Sequence, residues 1–264
     1  MPAATRITRL VFVLLVASAA ACASHSKGLV PPGTSEPDKF LIEKGNAALA
    51  DKKWFTAREF FKQIVEVYTQ SPLRPDAKLG VADTYLGEGT PEALVLGINE
   101  YREFLSYYPT NPRADYAQFK LGMCHFKQMR AAQRDQTETR ETIKELQAFV
   151  DRYPNSSLLS EGQARLRDAK NRLDESDYLV GLFYFRARWY LGAVNRFQGV
   201  LKTDPEYSDR DSLYYYLGES LVKILRPAEA LPYYERLVAE FDKSEFLEEA
   251  RRRITELKAQ AQSK

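Results

Sequence analysis

Cys124 and His125 are neighbours in the middle of the chain, and a thiol beside an imidazole is raw material for a nucleophile and its base. Adjacent residues on a helix project about 100° apart, so this pair does not face itself. The flanking Phe119, Leu121, Met123 and Phe126 are apolar, and a cysteine in such a helix serves as a small hydrophobe. The 264 residues hold one other cysteine, Cys22, and one other histidine, His25. Two histidines leave little material for a zinc site or a histidine-based triad. No phosphate-binding G-x-x-x-x-G-K, H-E-x-x-H, C-x-x-C or G-x-S-x-G motif is present. The 36 Asp and Glu read as solvated surface, so the sequence predicts no catalytic residue, no metal site and no cofactor.

Cys22 has a different chemistry. Arg6 and Arg9 form a positive segment, and Leu10 to Val16 form an apolar run too short to span a bilayer. Five small residues, Ala17 to Ala21, then lead into the cysteine. This order resembles a bacterial lipobox, with Ala19 where leucine is usual. In a lipobox the thiol receives a diacylglycerol, the peptide is cut before the cysteine, and the new amine is acylated, commonly with palmitate. The alternative, a plain secretory signal cut near Ala21, leaves a free thiol on a secreted terminus, which is a liability. Residues 1–21 are therefore read as a lipoprotein signal peptide. Their removal takes away two arginines and no acid, leaving 36 Lys+Arg against 36 Asp+Glu. A neutral chain argues against nucleic acid as a partner. Ala23 and Ser24 lack the aspartate of inner-membrane retention, which points to the outer membrane. Residues 22–37, rich in Pro, Gly and Ser, read as a lipidated flexible tether in which His25 is solvated.

The remaining chain has helical periodicity and an internal register. Gly45 is followed at 12 and 16 residues by Ala57 and Phe61. Gly181, Ala193 and Phe197 repeat the interval, as do Gly218, Ala230 and Tyr234. Gly97, Tyr101 and Pro109, and Thr142, Leu146 and Pro154, keep its second half. The spacing predicts helix pairs in which a small residue on the first helix admits the second, with the Ala of the second helix opposite it. The aromatic one turn later would fill the space between pairs, and proline would end each second helix. This resembles the tetratricopeptide repeat. Five units fall at about 38–72, 74–112, 113–157, 174–208 and 210–244. The expected fold is all-α: a right-handed α-solenoid of about five repeats with a C-terminal capping helix. Three repeats would occupy 38–157, and two repeats with the cap 158–264. Ser160 to Arg188 contains no proline and reads as one long helix. The last helix has an apolar face at Leu247, Ala250, Ile254 and Leu257, backed by Glu248–Arg252 and Glu249–Arg253 at i,i+4.

Further features narrow the resemblance. Arg134-Asp135-Gln136 precedes a helix ending in Phe149 to Ser156. Ala164-Arg165-Leu166, Lys170 to Leu173 and Tyr184-Phe185 follow, before the turn at Trp189 to Ala193. With the lipobox, this order resembles the BamD family (the YfiO/ComL group) of outer-membrane lipoproteins in the β-barrel assembly machinery. The resemblance implies a non-enzymatic protein on the periplasmic face of the outer membrane, held there by its lipid. Its partners would be the POTRA domains of BamA, other Bam lipoproteins, and unfolded outer-membrane proteins whose C-terminal signal ends in an aromatic residue.

In such repeats the first helices line the concave side. Inward positions are then Ile42, Leu79, Phe119, Tyr178 and Tyr215, followed by Asn46, Asp83, Met123, Leu182 and Glu219, then Leu49, Leu86, Phe126, Phe185 and Val222. From these come the substrate-groove candidates Asn46, Asp83, Tyr85, Phe119, Met123 and Phe126. A tightly wound solenoid would instead bury them against one another. Glu248, Arg252 and Arg253 are the partner-surface candidates, though their alternation of sign also suits a solvated cap face. Another envelope repeat lipoprotein, a secretin pilotin or a cell-wall synthesis coordinator, is the alternative. The trimerising coiled coil expected of the wall coordinator is absent from the sequence. Replacing Cys22 with Ser should leave the repeats folded and release the protein from membranes. Fractionation reads the release, and mass spectrometry of an unmodified Cys22 in the wild type would contradict the anchor.

Overall fold

The computed structural model describes residues 29–262; Cys22, His25 and the rest of the signal segment lie outside them. Eleven helices are present among the described residues. They are α1 (Pro37–Ala50), α2 (Trp54–Val67), α3 (Arg74–Glu88), α4 (Pro91–Tyr107), α5 (Ala114–Phe126), α6 (Thr137–Arg152), α7 (Leu159–Arg186), α8 (Tyr190–Thr203), α9 (Arg210–Lys223), α10 (Pro227–Glu240) and α11 (Leu247–Gln262). Each packs on the next, and the first helices of adjacent pairs also touch, which is the connectivity of a tetratricopeptide solenoid. None of the described helices is long and apolar enough to cross a membrane. Before α1, Val30 packs against the α1–α2 core, so the end of the predicted tether is docked.

The punctuation follows the sequence. Pro37, Pro75, Pro91 and Pro227 occupy the first turns of α1, α3, α4 and α10, where no intrahelical N–H is lost. Thr90 caps α4, its hydroxyl accepting from the Ala93 N–H at 3.2 Å. The tight turns within four of the pairs run through a left-handed residue: Lys52, Gly89, Arg188 and Leu225, with φ of 59°, 69°, 64° and 63°. Only one of these is glycine, so the other three turns hold a strained backbone against the pull of the helices they join.

The glycine register has a different partner from the expected one. A Cβ placed on Gly45 would lie 2.5 Å from the Phe61 ring, and one on Gly80 of the next pair 2.7 Å from the same ring. Phe61 is thus clamped between two first helices. Gly181 meets Phe197 at 2.6 Å and Gly218 meets Tyr234 at 2.6 Å in the same way. The ring, not the alanine before it, fills the space that the glycine leaves. Ala57, Ala193 and Ala230 are fully buried, while the ring makes the close approach and, at Phe61, also bridges successive pairs. The second repeat inverts the arrangement: Gly97 lies on the second helix, against the Tyr85 Cβ at 3.3 Å and the Cys124 Sγ at 3.4 Å.

Helix α7 is continuous over 28 residues. Its N-terminal half receives Phe149 of α6 on Gly162, and its C-terminal half receives Phe197 of α8 on Gly181. One helix therefore serves two successive pairs, with the contact points displaced by about 28 Å along its axis. The joint is tied by Arg167, which bonds both carboxylate oxygens of Asp204 and lies 3.7 Å from Asp174. Burial pushes the Asp174 carboxyl far up. Asp204 is buried too, but its bond to Arg167 holds it below the usual carboxylate range. At the far end, Phe246 stacks on Tyr215 with centroids 4.6 Å apart, and α11 buries Ala250 and Leu257.

Glycine to alanine inside a helix ordinarily stabilises by about 0.5–1 kcal/mol. Gly199, with nothing within 4 Å of an added Cβ, should follow that rule. Gly181→Ala should reverse it and destabilise by about 1–3 kcal/mol, because the ring of Phe197 must move. Thermal melting of the two variants checks the opposite signs, and a shared sign would contradict the ring-on-glycine contact.

Candidate functional site

Five helices converge on a concavity of about 380 Å3 in the N-terminal half. Leu49 of α1, Trp54 of α2, and Leu86 and Gly87 of α3 form one wall; Tyr116, Phe119, Lys120 and Met123 of α5 form the other. Glu161 of α7 and Lys127 stand at the edges, with Asp83 between the walls. Residues 116, 119, 120, 123 and 127 are spaced 3, 1, 3 and 4, which is one face of a helix. The surface is thus an apolar channel with two lysines on one side. Trp54 stands there because Gly87 admits its ring: a Cβ at that position would lie 2.6 Å from it.

The polar groups of this channel are unequal. Asp83 accepts hydrogen bonds from the Tyr101 hydroxyl at 2.5 Å and the Tyr116 hydroxyl at 2.9 Å. Burial raises its carboxyl above the usual range, and the same burial and bonding push both phenols up. Asp83 therefore uses one oxygen, Oδ1, to hold Tyr101 and to fix Tyr116 in the channel wall. Lys127 donates to the Leu86 carbonyl at 3.2 Å. Lys120 makes no salt bridge among the described residues; its ammonium lies 5.3 Å from the Tyr116 ring and 5.6 Å from the Phe119 ring. It is the cation left to meet an incoming anion.

The channel brings together Asp83, Phe119 and Met123 from the sequence-derived set, and also Leu49 and Leu86. It leaves out the other three candidates. Tyr85 is buried beneath the Arg58 guanidinium, 3.7 Å from its ring centroid, because the side chain points back toward α2. Asn46 is exposed outside the channel. Phe126 is half-buried under Arg165 and lines a separate concavity with Asp168 and Arg172. Sequence reasoning missed Trp54, Tyr116, Lys120 and Lys127. The α5 residues among them were legible as the i, i+4, i+7 companions of Phe119 and Met123; Trp54 was not, since its place depends on the fold around Gly87.

The C-terminal candidates also separate. Arg253 is three-quarters buried and grips Glu219 of α9 with two bonds, Nε to Oε1 at 2.6 Å and Nη2 to Oε2 at 2.7 Å. Tyr234 donates to the same carboxylate at 2.7 Å. Arg253 is thus a fastener of the cap and not a free surface cation. Glu248 and Arg252 are exposed, but the pairs run at i,i+3, Glu248 with Arg251 and Glu249 with Arg252, in place of the i,i+4 pairs expected. The sequence did not single out a neighbouring apolar patch: Phe183, Trp189, Leu191 and Leu225 are 63%, 64%, 58% and 89% exposed at the turns of the last two repeats. Arg186, Arg188 and Lys223 accompany it on the same turns. Trp189 is stacked on Tyr184, centroids 5.8 Å apart, which sets the orientation of its ring.

Cys124 is fully buried, and burial pushes its thiol up to about 12, which removes it as a nucleophile at ordinary pH.

Comparison with known proteins agrees with this architecture. A tetratricopeptide-repeat profile matches residues 212–244, the α9–α10 pair. The chain is 27% identical over 214 residues to the outer membrane protein assembly factor BamD of Caulobacter vibrioides, covering 80% of this chain and 68% of that protein. It is 27% identical over 193 residues to BamD of Vibrio cholerae, covering 69% and 78%. The BamD of Neisseria meningitidis serogroup B matches at 22% over 91% of this chain and 93% of its own length. The profile of the YfiO family, described as an outer membrane lipoprotein, spans residues 34–221, from before α1 into α9 and so across the whole channel; the chain belongs to that family.

Proposed function

We propose that this protein is a non-enzymatic component of the machinery that assembles outer-membrane β-barrels. In this reading it is anchored on the periplasmic side by lipid on Cys22. It binds the POTRA domains of BamA and receives the C-terminal signals of unfolded barrel proteins. The observation that carries the substrate part is the channel between α3 and α5. It offers an apolar length for alternate side chains of an extended strand, Trp54 and the partly buried Met123 to meet a terminal ring, and Lys120, without a salt bridge among the described residues, for a terminal carboxylate. The relatives named as assembly factors support the setting.

The partner part rests on the C-terminal repeats. Trp, Phe and Arg are residue types enriched at interfaces, and here they are exposed, with Trp189 oriented by its stacking on Tyr184. The reading therefore moves the principal contact from the α11 charges to the turns around Trp189 and Leu225, with Glu248 and Arg252 as a steering rim.

A peptide ending in phenylalanine with a free carboxylate should bind the full chain, and Lys120→Glu should weaken it by about tenfold or more. Amidating the peptide terminus should cost wild type a similar factor and cost the variant little. Fluorescence anisotropy reads both, and equal affinity of acid and amide for wild type would remove Lys120 from the site.

Three variants should divide the C-terminal surface. Trp189→Ala combined with Leu225→Asp should leave melting nearly unchanged and reduce POTRA binding by at least about tenfold. Arg252→Glu should slow association and alter its salt dependence. Arg253→Ala should instead lower stability by about 2–3 kcal/mol, since it strands the Glu219 carboxylate under the cap. Surface plasmon resonance with melting curves separates the three, and unaltered binding by the first variant would place the contact elsewhere.

A further inference from the structure

A cluster between α4, α5 and α6 has no part in the reading above. Glu138, Glu141 and Glu145 lie on one face of α6, and His125 closes α5 opposite them. His125 is only 5% exposed. Its Nδ1 lies 2.7 Å from the Glu138 carboxylate, which accepts from the ring and fixes the proton on that nitrogen. The Nε2 lone pair is then left to face the place where Glu141 and Glu145 each bring one oxygen. The three donor atoms lie within 4.8 Å of one another. Glu145 is itself held: Gln118 donates to its side chain at 2.9 Å and to its carbonyl at 3.1 Å.

We propose that His125, Glu141 and Glu145 form a binding site for a zinc-class divalent cation, with Glu138 and Gln118 holding the ligands in position. One imidazole nitrogen and two carboxylates are a donor set that zinc accepts, with water in the fourth place. A carboxylate behind the ligating histidine is the usual support of such a ligand, and Glu138 supplies it. A cation drawing its ligands to about 2.0–2.2 Å needs the carboxylates to close inward. Glu141, with its side chain 35% exposed, accepts from the exposed Lys144 ammonium at 3.0 Å, and a metal must displace that bond as its carboxylate closes.

Arg102 decides how the site is tested. Its Nη2 sits among the three donors, 3.5 Å from His125 Nε2, 3.4 Å from Glu145 and 3.8 Å from Glu141. All three separations exceed the 2.7–2.9 Å of a good charge-assisted hydrogen bond. The side chain is 46% exposed, and among the described residues its polar contacts are all with this cluster. The guanidinium is therefore a loosely held cation that a metal displaces toward solvent. Removing it should strengthen metal binding, whereas removing a ligand should weaken it.

Calorimetric titration of the full chain in detergent with zinc chloride should give one saturable equivalent. Glu141→Gln and His125→Asn should each weaken it by at least about tenfold, and Glu138→Gln by about 10–100-fold. Arg102→Met should tighten it by about tenfold, reflecting removal of one competing charge. Cobalt bound in the same place should show tetrahedral visible absorption that zinc abolishes. Since His125 is buried, melting without metal identifies any variant that fails to fold, and the half-exposed Glu141→Gln then carries the ligand test. Absence of saturable binding in wild type overturns the proposal, including the case where only Arg102→Met binds. Binding that Glu141→Gln leaves unchanged also overturns it.

Discussion

An aromatic ring seated on a bare glycine backbone is the contact on which the rest of this solenoid depends. A ring at Phe61, Phe197 or Tyr234 needs a facing surface with no Cβ, and Gly45, Gly80, Gly181 and Gly218 supply it. Because Phe61 lies between the first helices of two successive pairs, one side chain sets both the angle within a pair and the distance to the next. This is how a chain without long-range connections reaches a defined superhelix: each contact is local, and its geometry is repeated. The glycines lower helix propensity, so the helices carrying them rely on tertiary packing.

The long α7 is where repetition gives way to specificity. A 28-residue helix cannot close both of its pairs at the same height, so the last two repeats are displaced along it relative to the first three. The ion pair of Arg167 with Asp204, beside the buried Asp174, lies at this displacement, where a purely apolar contact would tolerate sliding. A partly buried ion pair fixes register because a small shift leaves the Asp204 carboxylate unpaired. The division between an N-terminal channel and a C-terminal patch follows from that fixed offset.

The same inward register position is used in opposite ways at the two ends. Asp83 of α3 and Glu219 of α9 follow Ala82 and Gly218 at equivalent places, and both accept from a tyrosine of the neighbouring second helix. At Asp83 the second bond comes from Tyr116, a wall of the channel, so the acid organises an open surface. At Glu219 it comes from Arg253 of the cap, so the acid closes one. A buried carboxylate demands partners in either case, and the partner available sets whether the solenoid stays open or is sealed.

Much of the fold was legible from residue spacing, because helix periodicity, proline stops and glycine intervals are local rules. The five pairs and the polar-backed cap follow from them, and the absence of proline between Ser160 and Arg188 allowed one long helix without requiring it. The candidate site was legible only in part. Phe119 and Met123 could be placed because their spacing marks one face of α5, and Lys120 and Lys127 extend that face. Which way Tyr85 turns, and which of Arg252 and Arg253 is buried, depends on the neighbouring helix, and no local rule carries that information. The same holds for His125, which the sequence presents only beside Cys124 and which the fold sets against three glutamates that start 13 residues away. The sequence determined what each helix is and where it ends. The tertiary structure decided which polar groups face each other, since a partner is a matter of distance in space, and burial then decides how strongly each group must be satisfied.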